Sequence, residues 1–413
     1  CTPRFKPATN AVVTGRTMTL EWLIIGGGIH GVHIATRLLG DAGISPDRLR
    51  IVDPGERLLA RWRSCTAATG MTHLRSSSVH HLDLDHGALQ RFARKRKRRK
   101  SGLFALPFHR PSLALFNAHC EQVEKTFGLD ELLIRNRAVK CSVESDMVEV
   151  RLHDGHELQS QNIVLALGSS DQTMWPQWAP PSNPNVHHIF EPGFDGWPSK
   201  HETVIVVGGG ISAGHVVLRL LKEGHHVHLV SRHGLRQHQF DSDSGWLGWK
   251  YRSVFSRERN PDQRRAIISE ARYTGSVSPD IGRALRRAIG NKQLQWHEGE
   301  ITSFVSQHDA IEVTISTKDV VPADRILLAT GYESLRPGGA MIDELVATES
   351  LPCACCGYPI VDSNLRWHPR IYVTGPLAEL ELGPVSRNIA GARRAGDRII
   401  DAIRSGTTSH SAH

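Results

Sequence analysis

Residues 20–31 read LEWLIIGGGIHG, and the fold follows from this stretch. Leu20–Ile25 is a short apolar run, the pattern of a parallel strand buried on both faces. It passes directly into glycines 26, 28 and 31, spaced G-x-G-x-x-G. An amphipathic segment from about Ile29 to Leu39 predicts a helix, and a second strand, Leu49–Val52, ends in Asp53. Strand, glycine loop, helix, strand and acid in this order make a dinucleotide-binding βαβ unit. Gly26 permits the tight turn, Gly28 lets backbone approach a pyrophosphate, and Gly31 lets helix and strand pack closely. The free N–H groups at the helix start, around Ile29 and His30, favour phosphate. Asp53 is placed to accept hydrogen bonds from a ribose.

The unit recurs 182 residues later. Thr203–Val207 is an apolar strand that enters Gly208-Gly209-Gly210-Ile211-Ser212-Ala213, a G-x-G-x-x-A loop. A helix is expected to about Lys222, with Gly224 as its stop, and a strand at Val227–Val230. This second strand ends in Ser231-Arg232-His233 where the first ends in Asp53. A carboxylate there repels a 2′-phosphate, whereas Arg232 pairs with it and Ser231 can donate to it. NADPH is therefore expected at the second loop, in preference to NADH.

Composition narrows the rest. The chain has 413 residues, 39% apolar and 22% charged, enough for two or three cores in a globular protein. No run of eighteen apolar residues occurs, so no membrane-spanning helix is expected. Seven cysteines at irregular spacing are not a disulfide scaffold, which favours a reducing cytoplasm. The net charge is +8, but the run Arg94-Lys95-Arg96-Lys97-Arg98-Arg99-Lys100 supplies seven of it. The remainder is nearly neutral, which argues against nucleic acid; the run is expected to be a solvated loop. Residues 1–17 lack periodicity and precede Met18, so they read as leader or added sequence, and residues 406–413 as a disordered tail.

Two further runs carry a family likeness. Ile163–Ser169 reads IVLALGS and Ile326–Tyr332 reads ILLATGY. Both resemble the strands that connect the two nucleotide domains in two-dinucleotide flavoproteins. The ATGY form is similar to the class B flavin monooxygenases, among them the lysine and ornithine N-hydroxylases. The segment FDSDSGWLGWKY from Phe240, and an Arg-rich helix at about Asp262–Arg272, resemble the N-hydroxylase insertion. The Baeyer–Villiger fingerprint F-x-G-x-x-x-H-x-x-x-W is missing between the glycine loops.

The resemblance implies an α/β protein with two Rossmann-like domains, the NADPH domain inserted in a discontinuous FAD domain. The expected bounds are 18–199 and 323–405 for the FAD domain and 200–322 for the NADPH domain. It implies FAD and NADPH as cofactors, and a small-molecule substrate and molecular oxygen as reactants. Hydride would pass from NADPH to flavin, and a C4a-(hydro)peroxyflavin would oxygenate an amine or sulfur centre. Thr330, Gly331 and Tyr332 are then expected near the cofactors. So are Gly375 and Pro376, where related flavoproteins carry Gly-Asp, and Asn388 at the start of the last helix. The segment Met71–Ser76 would pass beside the flavin ring, with Leu74 touching it and His73, Arg75 and Ser76 as catalytic residues.

Other readings stay open on the sequence. A flavin reductase or oxidase would pass electrons to a partner or to oxygen without inserting an atom. A non-enzymatic nucleotide sensor would use the basic run. Cys353-Ala354-Cys355-Cys356 has no second Cys or His pair at zinc spacing and reads as reduced thiols. No metal is expected, and a homo-oligomer is compatible with the sequence but not required by it.

Overall fold

The computed structural model describes residues 19–96, 102–307 and 310–410. Residues 1–17, expected to be a leader, lie outside the described residues. Strand β1 (Leu20–Ile25) leads through the glycine loop into α1 (Ile29–Gly40) and then β2 (Leu49–Asp53). β1 pairs in parallel with β2 on one side and with β4 (Glu157–Leu165) on the other. β3 (Leu133–Arg135) extends this sheet beyond β2. β11 (Ile371–Val373), nearly at the end of the chain, pairs in parallel with β4, and β10 (Arg366–His368) runs antiparallel to β11. The six strands run β10-β11-β4-β1-β2-β3, and a hairpin of Ala138–Glu144 and Met147–Leu152 joins β4.

A second sheet is entirely parallel, in the order β8-β7-β6-β9-β5. Its strands are β5 (Val186–His188), β6 (Thr203–Val207), β7 (His226–Ser231), β8 (Leu294–Glu298) and β9 (Arg325–Leu328). Helix α4 (Ile211–Glu223) connects β6 to β7. All of this unit lies between two strands of the first sheet, β4 and β10, so the second fold is inserted in the first. β5 and β9 belong to the second sheet but fall outside the expected 200–322 span. β5 is too short to carry a periodic signal, whereas β9 is the ILLATGY strand already legible in the sequence; pairing with β6 and β5 places β9 in the second sheet.

The central strands form the core. Leu23, Ile24, Ile51, Ile163 and Val164 are fully buried in the first unit, and Val204, Val206 and Leu327 in the second. Each such side chain contributes roughly 1.5–3 kcal/mol on leaving water. The last helix, α7 (Ile389–His410), packs along α1. Its backbone is helical through His410, within the 406–413 span expected to be a tail, and residues 411–413 lie outside the described residues. Helix α3 (Ala88–Arg96) takes in Arg94, Lys95 and Arg96, which were expected in a loop. The buried Leu89 and Ala93 anchor its inner face. The rest of the basic run lies outside the described residues. Among the described residues no helix is long and apolar enough to cross a membrane.

Candidate functional site

The glycine loops are built alike. Gly26 has φ +113°, and a Cβ there would stand 2.5 Å from the carbonyl oxygen of Ala166, just after β4. Gly208 has φ +146°, and its Cβ would stand 2.5 Å from the carbonyl oxygen of Ala329, just after β9. The IVLALGS and ILLATGY runs are thus the strands beside each glycine loop, and their alanines press on its first glycine. A Cβ on Gly31 would lie 1.8 Å from the Gly26 carbonyl oxygen, which fixes the close approach of α1. By contrast, a Cβ on Gly28 would meet nothing within 4 Å, and one on Gly210 only the Gly275 Cα, at 3.7 Å. Gly28 and Gly210 are the N-caps of α1 and α4, and no side chain caps either helix. Both helix starts therefore present free N–H groups to open space, the donor set a pyrophosphate requires.

The surrounding side chains are mostly committed. Asp53 accepts from Gly27 N at 2.7 Å and Gly55 N at 2.8 Å, so its carboxylate shapes the loop itself. His30 Nδ1 lies 2.8 Å from Thr374 Oγ1, and its buried Nε2 has no partner. Burial pulls the His30 pKa down to about 4, which keeps the ring neutral. Gly375, at φ +66°, lies against the His30 ring, and Pro376 opens the next turn. Asn388 Oδ1 accepts from Gly391 N at 3.0 Å and so caps α7. In the second unit Ser231 Oγ donates to the His233 carbonyl and accepts from Trp296 Nε1, both at 2.9 Å. That hydroxyl proton is spoken for, contrary to the expectation that Ser231 donates to a 2′-phosphate. Arg232 is exposed and makes no ion pair or side-chain hydrogen bond among the described residues. Ala213 is buried under the loop.

A cleft of about 180 Å³ opens between the two units. Cys65, Met71, His73 and Arg75 line it from the first unit; Ile211, Ser212 and His215 line it from the start of α4. Helix α2 (Ala60–Thr69) supplies Trp62, Cys65 and Thr66 to its wall. Gly331 (φ +84°) accepts from Met174 N at 3.0 Å, and the Thr330 hydroxyl donates to the Met174 carbonyl. Next to them the Tyr332 ring stacks on Phe190 at 5.2 Å, and its hydroxyl lies 3.4 Å from Cys65 Sγ. Burial, then the neighbouring Cys65, pushes the Tyr332 phenol up, so it stays protonated.

Of the expected catalytic residues, His73 lines the cleft, with Nε2 3.1 Å from the Gly102 carbonyl oxygen. Arg75 lines it too, but its Nε donates to the Gln239 carbonyl at 2.9 Å. Its Nη2 donates to the carbonyls of His238 at 2.7 Å and Phe240 at 2.6 Å. It therefore straps the 238–240 segment to the first unit. Ser76 is half-buried and does not line the cleft, and Leu74 is buried in the core. Sequence reasoning missed α2, whose polar and apolar residues do not segregate into faces because one side lines the cleft. It also missed Arg110, which is 5% exposed, lines the cleft and pairs with Asp280 at 2.8 Å. His215 likewise carried no motif; burial pulls its pKa down to about 4.

Comparison with known proteins accords with this geometry. Residues 23–170 match the FAD-NAD(P)-binding family model. The ornithine N-hydroxylase of Kutzneria sp. 744, solved with reduced FAD, NADP+ and L-ornithine, superposes with a TM-score of 0.73 at 16% identity. The match covers 94% of this chain and 100% of that one. This chain has the fold of that structure, with two dinucleotide-binding units, one inserted in the other. The L-lysine 6-monooxygenase of Pseudomonas syringae superposes with a TM-score of 0.69 at 18% identity, covering 94% and 99%. By sequence, the chain is 29% identical over 112 residues to the ferredoxin–NADP reductase of Ignicoccus hospitalis. That match spans 27% of this chain and about a third (35%) of the reductase.

Proposed function

We propose that the protein is an FAD- and NADPH-dependent monooxygenase that oxygenates a small molecule at an amine or sulfur centre. One observation carries the reading: a single cleft joins the start of α4, at the second glycine loop, to the 71–75 segment of the first unit. A nicotinamide held at α4 would there meet a ring held by the first unit. Bound FAD would accept hydride from NADPH and activate molecular oxygen. The chain would hold FAD at Gly26, Gly28, Ile29, His30 and Gly31. It would hold NADPH at Gly208, Gly210, Ile211 and Ser212, with Arg232 on the 2′-phosphate. Neutral His30 closes the first loop against Thr374 without placing a cation there. Phe190, backed by the stacked Tyr332, and Cys65 give the cleft an apolar wall, which favours a dry site.

Small amines and thioethers supplied one at a time to the FAD-loaded protein test the reading. A true substrate should lower hydrogen peroxide release per NADPH oxidised and give an oxygenated product. Peroxide release equal to NADPH consumption across the whole panel would count against it. A second reading, electron transfer from NADPH to an acceptor protein, is favoured by the local match to the Ignicoccus reductase. It predicts fast reduction of a one-electron acceptor and no oxygenated product.

A further inference from the structure

Away from the cleft, a second cavity of about 230 Å³ lies between the turn of helix Arg252–Phe255, the turn Glu379–Leu382 and α7. Arg252 and Arg394 face it, Phe255 and Leu382 give it apolar surface, and Trp249 at its rim is 73% exposed. The carboxylates of its wall are largely taken by other partners. Glu381 is held by Arg264 at 2.6 Å, and Asp397 by Arg37 at 2.7 Å. Arg394 donates from Nη2 to the Trp246 carbonyl at 2.6 Å, and its buried Nη1 has no hydrogen-bond partner. Arg252 makes no ion pair or side-chain hydrogen bond among the described residues. Burial, then repulsion from Arg252 and Arg398, pulls the Arg394 pKa down to about 10, yet it remains a cation at neutral pH.

Arg252, Arg394 and Arg398 thus line one cavity with Glu381, Asp397 and Asp401; Arg398 donates to the Ser363 carbonyl and lies 3.9 Å from Glu381, and neither Arg252 nor Arg394 forms an ion pair among the described residues. A guanidinium with no carboxylate partner, as Arg252 is here, gains a charge-assisted hydrogen bond from an incoming anion. Planar guanidinium groups suit a carboxylate in particular. Asp401, about two turns beyond Arg394 on α7, lines the same cavity and opposes a second negative charge. The exposed indole and Phe255 call for an apolar or aromatic body. We infer that this cavity binds a small organic monoanion, a carboxylate on Arg394 and Arg252 with its apolar body against Phe255 and Trp249. The site is separate from the cleft and does not depend on the reaction proposed above.

Titration calorimetry of the full-length, FAD-loaded protein with phenylacetate tests this, with neutral 2-phenylethanol and dianionic phenylphosphate as comparators. Phenylacetate should bind at millimolar concentration or tighter, and both comparators should bind more weakly. Arg394→Gln and Arg252→Gln should each weaken phenylacetate about tenfold, the order expected for a lost charge-assisted bond. Trp249→Ala should weaken it less. Arg252 has no partner to lose, so Arg252→Gln should keep the wild-type melting temperature, and its affinity reports the site even if Arg394→Gln destabilises the fold. No heat with phenylacetate, equal binding of 2-phenylethanol, or unchanged affinity in Arg252→Gln would overturn the inference.

Discussion

At the scale of single residues, the two glycine loops separate what the fold requires from what a ligand requires. Gly26 and Gly31 are fixed by the protein itself, because a Cβ at either would strike backbone. Gly28 is not: its φ of −79° suits any residue, and the space before it is open. Gly28→Val should therefore fold with a melting temperature close to that of the apoprotein but retain no FAD. A yellow, flavin-loaded Gly28→Val protein would remove the pyrophosphate assignment. Arg232 makes the matching case in the second loop, exposed and unpaired beside a Ser231 whose hydroxyl is already used. Arg232→Ala should raise KM for NADPH at least tenfold and leave KM for NADH within about twofold; equal losses would exclude a phosphate clamp. The glycines and Arg232 were legible because each carries a local signature. Arg75 shows the limit of such reading. An arginine beside a cleft suggests an anion, and only the fold reveals the three backbone carbonyls that occupy it.

At the scale of elements, α1, the 80–86 segment and α7 are joined by polar groups that must stay neutral or paired. His33 on α1 holds the Leu82 carbonyl at 2.9 Å, His81 the His86 carbonyl at 3.1 Å, and Arg393 on α7 donates to the carbonyls of His81 and Asp83. Burial pulls the pKa of His33 down to about 3 and those of His80 and His81 to about 4, and nearby arginines add to it. In the unfolded chain these rings protonate near 6.5. Below that pH the unfolded state binds more protons, so stability is full above about 6.5 and falls as the pH drops through 4 toward 3. Tenfold in proton affinity is about 1.4 kcal/mol, so the loss by pH 4 should be on the order of a few kcal/mol per ring at most. Urea unfolding at pH 7 and pH 4.5 reads it; a midpoint that does not move would contradict the burial of these rings. Helices with one apolar stripe, such as α4, were legible from periodicity. The junction around 80–86 was not, because its histidines are spaced without period and meet only when α7 returns across α1.

At the scale of the whole molecule, the repeat of the glycine loop announced two nucleotide units, and the position of β10 and β11 at the far end of the chain closes the first around the second. The two units were legible because both βαβ signals are strong and far apart; the expectation that one is nested in the other came from the resemblance to two-dinucleotide flavoproteins. The seams between them were less so: β5 and β9 each extend the inserted sheet past the expected 200–322 boundary. The cleft is a property of this arrangement alone, since its walls come from segments about 140 residues apart in sequence. The proposed function rests on those walls bringing two cofactors together. Stopped-flow absorbance tests this most directly, on FAD-loaded protein reduced anaerobically by NADPH and then mixed with oxygenated buffer. Rapid bleaching of the flavin by NADPH is expected, and on oxygen a transient blue-shifted species before the oxidised spectrum returns. Bleaching followed by direct return to oxidised flavin, with no such transient, would contradict a monooxygenase.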